Sequence, residues 1–146
     1  MKKLFIAALI IVAAGTSAFA MDANKVDYQV KRNFEARFNG AQNVKWSAKD
    51  DFFKASFTYA EENVEAFFNQ DGDLIGTSRK IDFERLPLSA IQKIKKEYAS
   101  YKVAESIEFD QDGDRSYYVS LEDGNKQQIL QVSLYGNVCV YKGAKK

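Results

Sequence analysis

The 146-residue chain has 21 basic residues, 20 acidic residues, one cysteine and no histidine. Without histidine, Ser-His-Asp and Cys-His nucleophilic centres are excluded, and most zinc sites lose their usual ligand. The near-zero net charge gives no general attraction to nucleic acid. Neither a Walker loop nor a G-x-G-x-x-G motif occurs. We therefore expect a protein that is not an enzyme and that uses no cofactor or metal.

Residues 1–20 have the order of a secretory signal peptide. Two lysines come first, an apolar run follows, and the segment ends in an A-x-A cleavage site. The apolar run is shorter than the roughly 20 residues that span a bilayer. We expect cleavage before Met21, export to the periplasm or beyond, and no membrane span in the mature chain. An uncleaved anchor is the alternative.

The lone cysteine, Cys139, has no disulfide partner in the chain, so the exported domain must depend on its hydrophobic core. Aromatic residues to build that core are plentiful, with 11 Phe and 8 Tyr in the chain. A single cysteine in a strand pattern is typical of a small buried apolar residue.

Two segments have the spacing of amphipathic helices. In residues 27–40, Val30, Phe34 and Phe38 recur every four residues, and Asn39-Gly40 is a fitting stop. Residues 86–98 contain Pro87, which suits a first helical turn, and place Ile91, Ile94 and Tyr98 on one face. Lysines cover the opposite face of this second segment, which is typical of a solvated helix surface.

Alternating or apolar runs predict eight strands, separated by a helix or by polar loops, most of which carry Gly with Asp or Asn. The predicted strands are residues 44–46, 52–59, 63–68, 74–81, 105–109, 116–121, 127–134 and 138–141.

The two halves of the chain match when one is shifted by 64 residues, which places Phe53 on Tyr117 and Gly72 on Gly136. This internal match predicts an α+β fold made of two tandem repeats, about 27–81 and 86–142. Each repeat is expected to contain one helix and a four-stranded antiparallel meander, with the helices packed on one face of the sheet. Residues 21–146 would then form a single domain.

The strings NQDGD (69–73) and DQDGD (110–114) resemble calcium loops. An EF-hand needs acidic or amide ligands at its first positions and a bidentate Glu at position 12. With Gly72 or Gly113 at position 6, position 12 falls on Ser78 or Val119. An Asp-Gly pair between alternating runs instead predicts a hairpin turn. We interpret both strings as turns, with calcium binding as the alternative.

The stretch FNGAQNVKW (38–46) resembles the F-P-x-A-x-x-V-x-W opening of the PepSY-like family, whose members resemble the β-lactamase-inhibitor protein (BLIP-like) fold. EAFFNQDGDLIGT (65–77), followed by Leu86-Pro87, is similar to the family's aspartate-glycine turn. The chain departs from the family at Asn39, where proline is common. The resemblance covers roughly residues 28–141 and implies tandem αβ repeats, export, no catalytic residues, and a role in binding or restraining peptidases.

The strand pattern assigns one face of the sheet to the helices and leaves the other face in solvent. The expected core-facing residues are Phe53, Ala55, Phe57, Val64, Ala66, Phe68, Tyr117, Val119, Leu121, Leu130, Val132 and Leu134. Four apolar residues lie on the opposite, mostly polar face: Phe52, Phe67, Tyr118 and Ile129. Apolar groups on a solvated face mark partner sites, so we predict that these four bind a protein or peptide. Purely structural cross-strand packing is the alternative.

These observations favour a non-enzymatic exported binding module that docks or restrains a peptidase or another envelope protein through its open sheet face. The alternative is a periplasmic carrier or sensor of a small ligand or metal.

Overall fold

A computed structural model of the chain describes residues 20–49 and 52–142, so the predicted signal peptide lies almost wholly outside the described residues. The described part contains two α-helices, α1 (Tyr28–Arg37) and α2 (Leu88–Glu97). Its strands are β1 (Ala20–Met21), β2 (Gln42–Lys49), β3 (Phe52–Tyr59), β4 (Glu62–Asn69), β5 (Leu74–Lys80), β6 (Lys102–Gln111), β7 (Asp114–Asp123), β8 (Lys126–Ser133) and β9 (Val138–Val140).

Both predicted helices are present, and local chemistry explains where they begin. The Asp27 carboxylate accepts a hydrogen bond from the Gln29 backbone N–H at 2.8 Å, which satisfies a free donor in the first turn of α1. Pro87 immediately precedes α2, where its missing N–H costs nothing. Each helix ends at an aromatic residue, Phe38 or Tyr98, whose N–H bonds to the carbonyl four residues earlier.

The strands form one sheet in the order β1 to β9, so each strand lies beside its neighbours in sequence. The predicted α+β class is correct, but the predicted fold of two repeats, each of one helix and a four-stranded meander, is wrong, because the described strands form one sheet. The end of β5 is not a free edge: the Ile81 N–H donates to the Ser106 carbonyl, and Arg79 pairs with Glu108 at 3.0 Å. Pairing satisfies backbone groups that an isolated meander would expose along its last strand.

By its contacts the chain divides into two compact units, the first ending at Thr77 and the second running from Ser78 to Lys142. The repeat bounds given above stay a prediction. In the first unit, α1 packs on a cluster of buried residues: Val26, Val30, Phe34, Trp46, Ala55, Phe57, Ala66 and Phe68. In the second unit, α2 packs on its own cluster: Leu86, Ala90, Ile94, Tyr117, Val119, Leu121, Leu130 and Val132.

The expected core-facing residues lie in or against these clusters, with Leu134 as the exception. Leu134 is 49% exposed because β8 ends at Ser133 and the chain turns there. The expected burial of Cys139 is also wrong: its side chain is exposed on β9, a three-residue strand at the end of the sheet.

Candidate binding surface

The structure separates the four predicted binding residues into two pairs. Phe52 on β3 and Phe67 on β4 form one pair in the first unit, with ring centroids 6.0 Å apart and edge-to-face geometry. Both side chains are buried, Phe67 to 1% exposure. Lys54 lies beside them, also buried, and its Nζ is 3.2 Å from Glu65 Oε1. The prediction that these aromatic rings face solvent is therefore wrong.

Tyr118 on β7 and Ile129 on β8 form the second pair, as diagonal neighbours across the two strands. Tyr118 is 1% exposed, and its hydroxyl accepts a hydrogen bond from Gln131 Nε2 at 3.1 Å. Its ring lies 5.4 Å from that of Tyr141. Ile129 is half-buried. Tyr118 thus belongs to the interior rather than to an accessible surface.

Burial also controls the ionisation of these two tyrosines. It raises the pKa of the Tyr118 hydroxyl above its usual value of 10.0, while hydrogen bonds with Ser116 and Gln131 act in the opposite direction. Burial, together with the neighbouring Tyr118, raises the pKa of Tyr141 to about 12. Neither hydroxyl is poised to exchange a proton near neutral pH.

The face that the pattern assigned to solvent therefore has buried hydrophobic residues in each unit. In the second unit, Ile107 is paired with Tyr118, and Phe109 lies two residues further along β6; both are buried. The alternation in ESIEF places Ile107 and Phe109 on one side of β6, and the pairing of Ile107 with Tyr118 puts that side on the face of Tyr118. That side carries too many large apolar residues for a surface fully in water.

Exposed apolar side chains occur elsewhere in the second unit, where α2 begins and β8 turns into β9. Leu88, the first residue of α2, is 69% exposed, and Tyr135 in the turn is 86% exposed. We call the exposed residues Leu88, Leu134 and Tyr135 the α2 patch, because Gly136, next to Tyr135, lies close to Ser89, next to Leu88. The sequence pattern missed it because Leu134 continues the core-facing alternation and Leu88 begins a helix.

A glycine holds this turn against α2. The Gly136 N–H donates to the Ser133 carbonyl at 3.0 Å, and the Asn137 N–H donates to Ser133 Oγ at 3.1 Å. Gly136 has φ +86°, and a Cβ at that position would overlap Ser89 Oγ and lie 3.3 Å from Pro87 Cβ. Only glycine allows this backbone conformation and this close approach together. The turn and the start of α2 are therefore held close together.

The same kind of turn in the first unit presents polar side chains. The Gly72 N–H donates to the Asn69 carbonyl at 3.1 Å, and Asn33 Nδ2 on α1 donates to the Gly72 carbonyl at 2.6 Å. The exposed residues of this turn are Gln70, Asp71 and Asp73. NQDGD thus forms a turn between strands, as predicted.

DQDGD forms a two-residue hairpin turn between β6 and β7, as predicted, with positive φ at Asp112 and Gly113. In residues 20–49 and 52–142, no group of three or more His, Cys, Asp or Glu side chains is placed to hold a metal ion. Over the same residues, no helix has the length and hydropathy needed to cross a bilayer.

Acidic residues lie at the same end of the β7–β8 pair as the α2 patch. Ser116 pairs with Ser133, so the β6–β7 turn with exposed Asp112 and Asp114 lies at the end where β8 turns into β9. Arg115 beside them is engaged, with Nη2 3.6 Å from Asp110 Oδ2. The surface near the patch is therefore apolar with an acidic margin.

Solved structures with the same fold are found by comparison, although no protein-family model and no curated protein matches the chain. A BLIP-like protein from Bacteroides fragilis aligns with TM-score 0.69 and 16% identity over 82% of this chain and 87% of its own. A DUF2874 family protein from Bacteroides ovatus gives TM-score 0.68 and 17% identity over 77% of this chain and 86% of its own.

A proposed periplasmic protein from Bacteroides eggerthii gives TM-score 0.71 and 12% identity, over 77% of this chain and 85% of its own. At such identities the likeness concerns the fold alone. The chain has the BLIP-like fold.

Proposed function

We propose that this protein is a non-enzymatic, exported protein-binding module whose contact surface is centred on the α2 patch. The observation that carries the proposal is the exposure of Leu88 and Tyr135, at 69% and 86%, on a turn fixed by Gly136. Aromatic and apolar side chains on a rigid support supply contact area at a low cost in conformational entropy.

The sheet-face residues have a supporting role in this proposal. Phe52, Phe67 and Tyr118 are buried, so a partner would reach them only if the fold opened. Ile129 is half-buried and lies at the margin of that layer. These side chains stabilise the sheet, and the accessible groups at the start of α2 make the contact.

The chemistry of the surface favours a basic partner. Asp112 and Asp114 are exposed at the same end of the β7–β8 pair, so Lys or Arg around an apolar centre would complement them. The patch has only three apolar side chains, whereas stable interfaces bury about 800 Å² on each partner. A partner must therefore also contact surface beyond the patch. The PepSY-like resemblance makes envelope peptidases the first class to test.

The experiment begins with affinity capture from envelope and secreted fractions, using residues 21–146 as bait. A protein that is captured is then purified and titrated by calorimetry against three forms of the bait. These are the wild type, a Leu88→Ser/Tyr135→Ser variant, and a Tyr28→Ser control. Tyr28 is a matched control because it is the first residue of α1 and is 74% exposed, but lies in the first unit.

Saturable binding by the wild type and the Tyr28→Ser variant, lost in the Leu88→Ser/Tyr135→Ser variant, is the expected result. All three baits must first show the same melting temperature, because unfolding would mimic lost binding. Equal binding by the three baits would remove the α2 patch as the contact surface. Turnover of a substrate by the purified chain would overturn the non-enzymatic assignment.

A further inference from the structure

Asn39 and Gly40 follow α1 and form the connection to β2. In an Asn-Gly pair, the glycine backbone nitrogen can attack the Asn side-chain amide carbon and close a five-membered succinimide ring. Glycine permits this reaction best because it has no Cβ to obstruct the approach or the backbone rotation that closure requires. The pair is therefore chemically reactive wherever the fold leaves it accessible and unrestrained.

The structure leaves this pair accessible. Both residues are exposed, and a Cβ at Gly40 would meet no atom within 4 Å, so no other part of the described chain crowds that side of Gly40. The connection is spanned by one backbone hydrogen bond, from the Ala41 N–H to the Phe38 carbonyl at 3.0 Å. Within residues 20–49 and 52–142, the N–H of Gly40 itself makes no hydrogen bond.

Gly72 and Gly113, which each follow an aspartate, have backbone N–H groups that are restrained by hydrogen bonds, unlike that of Gly40. Gly72 is buried, and its N–H donates to the Asn69 carbonyl at 3.1 Å. The Gly113 N–H donates to Asp110 Oδ1, also at 3.1 Å. These nitrogens must break a hydrogen bond before they can attack.

The pair Asp123-Gly124 is disfavoured for a different reason. An ionised carboxylate is a poor electrophile, and Asp123 Oδ2 also accepts a hydrogen bond from Ser100 Oγ at 3.2 Å. Ser100 itself lies in the connection after α2, where the chain reads Tyr98-Ala99-Ser100-Tyr101 and has no amide side chain. The first unit alone therefore combines an electrophilic amide with a free glycine nitrogen after its helix.

We propose that Asn39 is a site of spontaneous deamidation in the native protein. The Gly40 nitrogen forms a bond to Asn39 Cγ and loses its proton, and the side-chain amine leaves as ammonia. One water molecule then opens the succinimide at either carbonyl, giving aspartate or isoaspartate at position 39. No oxidant or reductant takes part.

The product changes the end of α1. A new negative charge lies just beyond the C-terminus of the helix, where the helix dipole disfavours it. Isoaspartate also adds a methylene to the backbone of the short connection between Phe38 and Ala41. Deamidation therefore changes both the charge and the geometry where α1 leads into β2.

The experiment incubates purified residues 21–146 at neutral and mildly alkaline pH, in buffer and in urea, with samples taken over days. Peptide mass mapping measures conversion at each asparagine, and ion exchange separates the product by its added negative charge. Asn125 is the internal control because it is exposed in a turn but is followed by Lys126. An Asn39→Gln variant is the matched chemical control, since its longer side chain closes a ring less readily.

The expected result is conversion at position 39 in buffer at a rate close to that in urea. It should exceed conversion at Asn125, increase with pH and be absent from Asn39→Gln. The increase with pH follows because removing the amide proton makes the attacking nitrogen a better nucleophile. Conversion at Asn39 in urea but not in buffer would show that the fold protects the pair, and would overturn the proposal. Equal rates at Asn39 and Asn125 would also overturn it.

Discussion

The two helix-covered clusters pair their strands in the same register but fill the space differently. In the first unit Ala55 pairs with Ala66, and in the second Val119 pairs with Leu130. The side chains above them have the opposite sizes. Val30 and Phe34 of α1 enter the first cluster, whereas the smaller Ala90 and Ile94 of α2 enter the second. At this strand pair the larger side chains come from the helix in the first unit and from the sheet in the second.

This difference indicates that total volume and strand register matter more than the identity of any one side chain. Protein interiors are packed as densely as organic crystals, so a small residue in the sheet requires a large one above it. In the first unit the large residues are aromatic. Phe34 lies 5.0 Å from Phe57 and 5.3 Å from Trp46, both in edge-to-face geometry. In the second unit aliphatic residues supply most of the corresponding volume.

Removing Phe34 tests this comparison most strongly. We expect Phe34→Ala to lower the free energy of unfolding by about 3–5 kcal/mol, because a buried ring is lost above two alanines that cannot fill the cavity. Ile94→Ala is the matched change in the second unit and should cost less, about 2–3 kcal/mol. Urea denaturation followed by circular dichroism measures both.

A compensating pair sharpens this test. Phe34→Ile and Ala66→Leu should each destabilise the protein, the second by about 1–3 kcal/mol through overpacking. Combined, they imitate the size pattern of the second unit and should destabilise less than the sum of the single changes. If the two losses of stability simply add, the side chains at positions 34 and 66 do not fill the same space in the core.

Substitutions at the turn glycines should have the next largest effect on stability. Gly136→Ala should destabilise by about 1–3 kcal/mol through its positive φ alone, and by more because the new Cβ overlaps Ser89 Oγ. Gly113→Ala is the control: it also has positive φ, but nothing lies within 4 Å of the added Cβ. Gly113→Ala should lower the free energy of unfolding by only about 1–2 kcal/mol, the cost of positive φ for a residue with a Cβ.

Thermal and urea unfolding of the two glycine variants measure this difference. Adding Ser89→Ala to Gly136→Ala should recover part of the loss, whereas Ser89→Ala should not rescue Gly113→Ala. Equal costs for the two glycine changes would indicate that the approach of the turn to α2 contributes nothing.

Much of this arrangement could be predicted from local sequence. Phe34 follows from four-residue spacing, and the turns at Gly72 and Gly136 follow from glycine beside polar residues. The burial of Phe67 and Tyr118 could not be predicted from the alternation of single strands. A period of two states which residues share a face, but not whether that face is covered. The α2 patch was missed because exposure of Leu134 depends on β8 ending one residue earlier.

Removing the hydroxyl should have different effects on stability at the two neighbouring tyrosines of the second unit, Tyr118 and Tyr141. Tyr118→Phe removes the acceptor of the Gln131 hydrogen bond and should cost about 1 kcal/mol. The Tyr141 hydroxyl is buried with no hydrogen-bond partner among the described residues. Tyr141→Phe should therefore leave stability unchanged or raise it by up to about 1 kcal/mol. Urea unfolding at neutral pH compares them, and an equal loss in both would contradict this assignment.

The smallest expected effect is a loss of stability in alkaline solution that depends on Tyr141. Its pKa is about 12 in the folded protein, against an ordinary value of 10.0. Between these values the unfolded chain has lost the proton that the folded chain still holds, so stability falls as pH rises from about 10 to about 12. Below pH 10 both states hold the proton, and the contribution does not vary.

Lysines also titrate in this range, so the measurement is the difference between wild type and Tyr141→Phe in urea midpoints across pH. The urea midpoint of Tyr141→Phe should rise relative to that of the wild type as pH rises, because only the wild type loses stability through ionisation of Tyr141. A difference that stays constant across the interval would show that the hydroxyl is solvated in the folded state.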